Sequence, residues 1–252
     1  MKIALCFFGL PRYSDYIIST LKQHLLNLYN VDIYAHFWWS DDMIGKFKHR
    51  ACTDVWEANT IEHLKNLIPF KKIVLESQIH FDISHFKPIS NEPDLKHLTV
   101  EVCKDTLFGL KSKWYSTNQS FQLIDKPEEY DYIIISRLDC DYSKPIDLSI
   151  LNPNILYIQD GFRSGWDRGY NDIFTIGHVD TIKYYADIYK YIDKYHIDGI
   201  PHMHTFFEKL LKTDIPVPHQ LYSFGVWMLH ESMFKHYRKG APYLTNQIKF
   251  IH

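Results

Sequence analysis

Short apolar runs alternate with amphipathic segments in the N-terminal part of the chain. Residues 2–8 form an apolar run with the length of a buried strand, and residues 31–37 form a second. Between them, Ser14 is placed to cap a helix. The predicted apolar face of that helix consists of Ile17, Leu21, Leu25 and Leu28. Two buried strands joined by a helix are the unit from which parallel sheets are built, so this opening predicts an α/β fold.

The same patterns continue through the rest of the chain. Further strands are predicted at residues 72–75, 132–135, 154–158 and 172–177, and helices at residues 60–68, 103–124, 182–192 and 203–211. Residues 80–98 and 160–170 are predicted loops, because glycine or proline occurs there among polar residues. No repeat or linker interrupts the pattern. We therefore expect one α/β domain over residues 1–252, with a mainly parallel central sheet flanked by helices.

Two aspartates closely follow the predicted strand at residues 132–135. Asp139 and Asp141 lie two positions apart, so that in an extended backbone they project to the same side. Adjacent carboxylates repel each other unless a cation lies between them. Mg²⁺ and Mn²⁺ take oxygen ligands, which two carboxylates and the phosphates of a substrate supply. We interpret the pair as a metal and diphosphate site. The competing interpretation is a surface turn, because Pro145 follows closely.

The predicted topology brings further residues to the same edge of the sheet. In open α/β sheets, ligands bind beyond the carboxyl ends of the parallel strands. The residues predicted at these strand ends are Gly9, Arg12, His36, Trp38 and Arg137. Packing explains Trp38 as well as stacking on a ligand does. For Arg137, a salt bridge to a neighbouring carboxylate is as consistent with the sequence as binding of a phosphate.

Composition narrows the class of protein. Hydrophobic residues make up 46% of the chain and charged residues 23%, as in ordinary globular proteins, while aromatic residues reach 16%. The formal net charge of −2 gives no indication of a nucleic-acid or anionic-membrane partner. The four cysteines show no Cys-x-x-Cys spacing, which is typical of free thiols in a reducing compartment. No apolar run is long enough for a transmembrane segment, so we expect a cytoplasmic protein.

Five stretches together resemble the small GT-A-like glycosyltransferases of capsule, surface-polysaccharide and large-virus gene sets. They are Lys-Ile-Ala-Leu-Cys-Phe-Phe-Gly-Leu-Pro-Arg at 2–12, Val-Asp-Ile-Tyr-Ala-His-Phe-Trp at 31–38, Ser-Thr-Asn-Gln-Ser at 116–120, Ile-Ile-Ser-Arg-Leu-Asp-Cys-Asp at 134–141 and Tyr-Asn-Asp-Ile-Phe-Thr-Ile-Gly at 170–177. The resemblance covers roughly residues 1–215. It implies a GT-A-like domain whose residues 1–142 bind a nucleotide sugar and whose residues 143–252 bind the acceptor.

The resemblance also implies a reaction and its participants. The donor would be a nucleoside-diphosphate sugar, and the acceptor would be a hydroxyl of a glycan or glycoconjugate. A Mn²⁺ or Mg²⁺ ion would be held by Asp139 and Asp141 and would neutralise the diphosphate leaving group. The implied nucleotide-sugar contacts are Phe8, Gly9, Arg12, His36, Trp38, Ser116, Arg137 and Asp139.

The general base is a separate question. Asp172 matches the family's Asn-Asp pair, in which an acid binds the acceptor hydroxyl and removes its proton in an inverting transfer. An acid at the start of a strand is also common as a turn former. Glu208 is the alternative base, although an ordinary exposed helix acid is the simpler interpretation of that residue. The sequence does not decide between inversion and retention.

Several other polar residues are candidates with an ordinary alternative. His202, His204 or His219 would complete the metal shell, although most of the fifteen histidines must be structural or exposed. The predicted long helix has an apolar stripe and polar residues on its other faces. The stripe consists of Leu107, Leu110, Trp114, Phe121 and Ile124, and the polar residues are Lys111, Lys113, Ser116, Asn118 and Gln119. Ser116 and Gln119 either reach the uracil or ribose or belong to a solvated face. Each of these assignments needs the tertiary structure.

Two other functions fit parts of the sequence. A sugar-binding protein on the same fold would keep the site without catalysis, although the intact acidic pair argues against it. A phosphohydrolase would use Asp139 as a nucleophile and Asp141 as an acid, but such motifs usually follow the first strand of the chain. The sequence names neither the sugar, the nucleotide, the acceptor nor the oligomeric state.

Overall fold

The structure of the 252-residue chain is a computed structural model. It describes residues 1–47, 54–83, 100–160, 170–195, 203–213 and 217–228. The predicted loops at residues 80–98 and 160–170 lie mostly outside these ranges. Within the described ranges the chain forms nine β-strands and six α-helices, and none of those helices is both long and apolar enough to cross a membrane.

Seven of the strands form one mixed sheet. The strands are β1 (Lys2–Gly9), β2 (Asn30–Trp38), β3 (Phe70–Glu76), β4 (Tyr132–Arg137), β5 (Cys140–Tyr142), β6 (Leu156–Gln159), β7 (Phe174–Gly177), β8 (His219–Tyr222) and β9 (Val226–Met228). The order in the large sheet is β3-β2-β1-β4-β7-β6-β8. Every neighbouring pair is parallel except those of β7, which runs antiparallel to both β4 and β6. The predicted α/β class with a mainly parallel sheet is confirmed.

The helices cover both faces of this sheet. They are α1 (Asp15–Leu21), α2 (Thr60–Leu67), α3 (Val100–Gln122), α4 (Val179–Ala186), α5 (Ile192–Tyr195) and α6 (Met203–Thr213). Buried side chains of α3, α4, α5 and α6 belong to one hydrophobic cluster, and those of α1 and α2 belong to another. Both clusters include strand residues, so the central strands are buried on their two faces, as continuous apolar runs predict.

The first strand shows this arrangement most clearly. Alternate residues of a strand point to opposite faces. In β1, Ile3, Leu5 and Phe7 join the cluster with α1 and α2. The intervening residues Ala4, Cys6 and Phe8 join the cluster with α3, and all six are at most 2% exposed. Packing on both faces of the sheet therefore holds β1 in place up to its carboxyl end.

The predicted first helix is confirmed in its start and corrected in its end. Ser14 caps α1, since its Oγ accepts a hydrogen bond of 3.3 Å from the backbone N–H of Ile17. After α1, the segment Lys22–Leu26 forms a π-helical turn. A π-helical turn holds more residues per turn than an α-helix, so it shifts the following residues around the axis. Leu28, predicted on the apolar face, lies in the turn after this segment and is 48% exposed.

A second, two-stranded sheet follows the central strand. Residues 138–139 form a turn after β4, and the chain then enters β5, which pairs antiparallel with β9 through Cys140 to Met228 and Tyr142 to Val226. Neither strand is predicted from the sequence, because each is only three residues long. The turn places Asp139 outside both strands and Asp141 within β5.

Candidate functional site

The carboxyl ends of three parallel strands meet at one edge of the sheet. In the register of β1 with its neighbours, Phe8 lies opposite His36 of β2 on one side and Arg137 of β4 on the other. Strand β7 runs in the opposite direction, so Asp172, which precedes it, lies at the same edge. The backbone N–H of Arg137 donates to the carbonyl of Ile173 at 3.0 Å, which links the end of β4 to this segment.

Asp139 is held by two arginines. The Arg137 guanidinium donates from Nε to Oδ1 at 2.8 Å and from Nη2 to Oδ2 at 2.6 Å. Nε of Arg12, from the loop after β1, lies 3.2 Å from Oδ2. The Asp139 side chain is 7% exposed. A two-point contact between a guanidinium and a carboxylate fixes the plane of the guanidinium as well as its position. The salt bridge that the sequence left open for Arg137 is present.

Asp141 has different neighbours. The turn at residues 138–139 interrupts the extended backbone on which the predicted same-side projection depended. Asp141 lies instead beside the first helical segment, where Thr20 and His24 are the side chains that act on its carboxylate. Its Oδ1 is buried and has no hydrogen-bond partner among the described residues. Burial raises the pKa of Asp141, against the effects of Thr20, the Tyr142 backbone and His24.

These two carboxylates differ in how well they fit a divalent cation. A buried carboxylate oxygen without a partner is the kind of atom that an oxygen-coordinated ion satisfies, so Asp141 fits the predicted metal. The oxygens of Asp139 already face arginines. The described residues contain no group of three or more histidine, cysteine, aspartate and glutamate side chains that could hold a metal ion.

The histidines proposed for the metal shell do not join the described site. His202 and the side chain of His204 lie outside the described residues. His219 opens β8, a strand that runs in the same direction as β4, so it lies at the opposite edge of the sheet. Its Nε2 is 3.2 Å from the hydroxyl of Tyr170.

A lysine that the sequence placed on a polar helix face lies inside the site. Lys113 of α3 forms an ion pair with Asp172, and the two side chains are 11% and 5% exposed. The Lys113 ammonium also lies 5.7 Å from the ring centre of Phe8 and 3.9 Å from that of Trp114. The pKa of Lys113 is lowered to about 8, mainly by burial, with Asp172 opposing the shift and the positive charge of Arg137 adding to it.

The way in which α3 is buried explains why Lys113 was not predicted as a site residue. Its apolar stripe is where the sequence places it, but the helix is also buried along a polar stripe. That stripe consists of Lys113, Ser116, Thr117 and Ser120. The three hydroxyl residues are fully buried. Their spacing of i, i+3, i+4 and i+7 is that of one helix face, so small polar residues at this period were the signal in the sequence.

The Ser116 hydroxyl joins the ends of β1 and β2. The backbone N–H of Gly9 donates to its Oγ at 2.8 Å, and Nδ1 of His36 is 2.9 Å away. Nε2 of His36 is 2.8 Å from a carboxylate oxygen of Glu76. Burial lowers the pKa of His36 against the effect of Glu76. The Ser116 hydroxyl itself donates to the backbone carbonyl of His36 at 3.0 Å, so this side chain is bonded to both strand ends.

Gly9 lies on the open side of this junction. Its φ of +91° is in the left-handed region, which glycine adopts without the strain that a side chain would add. A Cβ built at this position would meet no atom within 4 Å in the described structure. The backbone at the end of β1 is therefore accessible to a ligand that approaches closely.

The remaining predicted residues lie outside the charged cluster. Trp38 is 3% exposed, stacks on Tyr115 with ring centres 5.4 Å apart, and donates from its indole to the carbonyl of Ser112 at 3.3 Å. These contacts indicate that Trp38 packs in the core. Gln119 is half-buried on α3. Glu208 pairs with Lys212 one turn along α6.

Replacing Ser116 by alanine should destabilise the fold. The change leaves the Gly9 N–H and Nδ1 of His36 without their shared partner at a buried junction, which costs roughly 1–3 kcal/mol. Urea denaturation of Ser116→Ala measures the loss. Ser112→Ala is the matched control one turn earlier, because the Ser112 hydroxyl donates to the exposed side chain of Gln78. A Ser116→Ala variant as stable as the control would contradict the role of this hydroxyl.

Three cations and two carboxylates form an ion-paired cluster at the ends of β1 and β4. The cations are Arg12, Lys113 and Arg137, and the carboxylates of the cluster are Asp139 and Asp172. Guanidinium forks and ammonium groups are the side chains with which proteins bind phosphates. The cations of this cluster can hold an anion. Neither the family models nor the curated protein sequences contain a match to this chain.

Proposed function

We propose that this chain is a metal-assisted glycosyltransferase on a GT-A-like fold. It would move a sugar from a nucleoside-diphosphate sugar to a hydroxyl of a glycan or glycoconjugate. The observation that carries the proposal is the cationic cluster beyond the carboxyl ends of β1 and β4, where open α/β sheets bind ligands. The sequence resemblance supplies the sugar and the acceptor; the cluster supplies the reason for a phosphorylated donor.

Arg12 and Arg137 would bind the diphosphate. Their guanidinium groups lie on either side of Asp139, which neutralises part of their charge and orients them. The Arg137 side chain is 24% exposed and that of Arg12 is 19% exposed, so both retain a face that a ligand can reach. Gly9, with open space above its Cα, allows the nucleotide to approach the backbone.

Asp141 would hold the Mn²⁺ or Mg²⁺ ion, whereas both oxygens of Asp139, the other predicted ligand, face arginines. When bound, the ion supplies positive charge that stabilises the diphosphate as it leaves the sugar. Asp141 is the better ligand of the two, because its buried Oδ1 has no partner among the described residues. Asp139 would keep the arginines in position beside the ion.

Asp172 is the candidate general base. It is buried at the same edge, and the hydroxyl of Tyr185 donates to its backbone carbonyl at 2.9 Å, which fixes the chain at this point. A base must accept a proton from the acceptor hydroxyl during transfer. In the ion pair with Lys113 the carboxylate is neutralised, so it acts as a base only after that ammonium is engaged elsewhere.

A thermal-shift panel tests the proposal. The probes are UDP, GDP and sugar derivatives of each, with Mn²⁺ and with EDTA. A ligand that binds only the native state raises the unfolding midpoint, by about 2.7 kcal/mol of stabilisation at a hundredfold excess over its Kd. Metal-dependent stabilisation followed by release of free nucleoside diphosphate supports a transferase. Stabilisation without release indicates a binding protein, and no response to any nucleotide contradicts both.

Replacing Asp172 by asparagine should lower turnover while donor affinity is kept. A general base contributes on the order of 10²–10⁴ to the rate, and the change removes that contribution without removing a phosphate contact. Release of nucleoside diphosphate gives the rate, and the thermal shift gives the affinity. Asp193→Asn is the control, because Asp193 is the partner of another α3 lysine, Lys111, and is largely exposed. Loss of donor binding in Asp172→Asn would mean that this residue acts on the donor site, either directly or through its partner Lys113, and not as a base.

A further inference from the structure

The ion pair between Lys113 and Asp172 points to a ligand contact that the sequence did not predict. We propose that Lys113 binds the phosphate groups of the donor, and that Asp172 holds its ammonium in place until those phosphates arrive. The identity of the ligand as a nucleoside diphosphate rests on the proposed function. The position of Lys113 does not depend on that function, because it follows from the contacts of α3.

Lys113 reaches the site from a direction that neither arginine covers. Arg12 follows β1 and Arg137 ends β4, whereas Lys113 comes from the helix that crosses this end of the sheet. Its ammonium lies against the rings of Phe8 and Trp114 and pairs with Asp172, so it has a defined position. Phe8 is also the β1 residue opposite Arg137, which brings the two cations to the same strand end.

The charges around Lys113 favour an anion. The Arg137 guanidinium repels the Lys113 ammonium, and this repulsion is one cause of the lowered pKa of Lys113. Asp172 compensates only in part, because the cluster still has three cations for two carboxylates among the described residues. A phosphate between the two cations replaces repulsion by two attractive contacts.

Binding of the phosphates would also change Asp172. An ammonium shared between a carboxylate and a phosphate neutralises the carboxylate less. Asp172 then becomes able to accept a proton from the acceptor hydroxyl. The donor would therefore bind before the base is active, which links the two halves of the reaction through one side chain.

Few other groups around Lys113 change charge near its pKa. Burial lowers and the Asp139 carboxylate raises the pKa of Arg137, with a net upward shift, so Arg137 stays charged. Burial and the nearby Asp172 raise the pKa of Tyr185 well above its usual range, so Tyr185 stays neutral. Of these described groups, Lys113 is therefore the one that loses its positive charge at mildly alkaline pH.

The same helix offers a matched control. Lys111 lies two residues before Lys113 and is also buried, but it faces away from the sheet edge. Its ammonium donates to the carbonyl of Asp82 at 3.0 Å and pairs with Asp193. A change from lysine to methionine at either position removes one buried ammonium from α3. Only the change at Lys113 removes a charge from the proposed phosphate site.

The test measures the affinity of the full-length chain for UDP, GDP and inorganic pyrophosphate by calorimetry in EDTA, so that no metal contributes. Lys113→Met should weaken binding about ten- to a hundredfold, the range for loss of one charge-assisted contact, while Lys111→Met should bind like the unmodified chain. Affinity of the unmodified chain should fall as the pH rises from 7 to 9. The Lys113→Arg variant, which does not titrate in this range, should lose that dependence.

The outcomes separate this inference from the proposed function. If the unmodified chain binds a nucleoside diphosphate and Lys113→Met binds it equally well, Lys113 is structural and only the inference fails. If the two methionine variants weaken binding equally, the effect comes from the helix and again contradicts the inference. If the unmodified chain binds none of the three probes in EDTA, the inference fails, and the thermal-shift panel with Mn²⁺ decides the proposed function separately. Should Lys113→Met not fold, the pH dependence of Lys113→Arg decides the question.

Discussion

Replacing Asp141 by asparagine is expected to abolish metal-dependent turnover while the folded chain keeps or gains stability. The buried Oδ1 of Asp141 has no hydrogen-bond partner among the described residues, and burial raises the pKa of this carboxyl. An ionised carboxylate in that position costs stability when no cation is bound. Under the proposed function, the chain keeps the Asp141 carboxylate because it is a ligand of the divalent ion.

The expected loss of turnover is at least about a hundredfold. A group that stabilises charge developing in the transition state contributes on the order of 10²–10³ to the rate. Asparagine keeps the size of the side chain but offers a weaker ligand with no charge. Metal-dependent release of nucleoside diphosphate measures the rate, and thermal unfolding in EDTA measures the stability of the same preparation.

The difference in stability between this variant and the unmodified chain should depend on pH in a defined direction. Because the folded-state pKa of Asp141 is raised, the folded chain holds that proton more tightly than the unfolded chain. Stability associated with Asp141 is therefore lost as the pH rises through the raised pKa. Asp141→Asn does not titrate, so its stability relative to the unmodified chain should increase over that range.

Asp147→Asn is the control for this experiment. The Asp147 carboxylate is exposed and accepts from the Ser149 backbone and hydroxyl, which lower its pKa. The corresponding change there removes a stabilising contact and should leave turnover unchanged. Full metal-dependent activity in Asp141→Asn would refute the metal role of Asp141.

Replacing Asp139 by alanine is expected to cost both activity and stability. The sequence alone predicts that this change leaves the fold largely intact. The structure changes that expectation, because Asp139 is the shared partner of Arg137 and Arg12 and is only 7% exposed. Removing one partner of a buried ion pair leaves a charge without compensation, at a cost of about 3 kcal/mol.

Urea denaturation measures this loss, and a double-mutant cycle identifies its source. If Arg137 is destabilised by the loss of its partner, Arg137→Met combined with Asp139→Ala should cost less than the sum of the two single changes. Additive losses would mean that the pair contributes nothing. The control is Asp125→Ala, which breaks the ion pair with Lys72 at the surface. An exposed pair of this kind contributes under about 1 kcal/mol.

The core strands were the part of the fold that the sequence predicted best. Strands β1, β2 and β4 appear within one or two residues of the predicted ranges, because continuous apolar runs of this length can only be buried between two layers. From their parallel order it also follows that Gly9, His36 and Arg137 lie at one edge. Strands β5 and β9 were not predicted, since a three-residue strand leaves no periodic pattern.

The chemistry of the site was harder to predict than its location. The sequence placed Asp139 and Asp141 on one side of an extended segment, but the turn at residues 138–139 separates their surroundings. It also assigned Lys113 to a polar face of α3, where exposure is the usual outcome. The polar stripe of α3 has the period of one helix face, but whether such a face is buried or exposed depends on what packs against it.

By itself, the sequence determined the order of strands and helices, the mainly parallel central sheet and the edge at which polar residues gather, because these follow from local periodicity and chain direction. Only the tertiary structure decided the partners: Arg137 and Arg12 with Asp139, Lys113 with Asp172, and Ser116 with Gly9 and His36. Each pair joins residues brought together by packing or by a turn. The energy of such contacts depends on burial and distance, which exist only once the chain is folded.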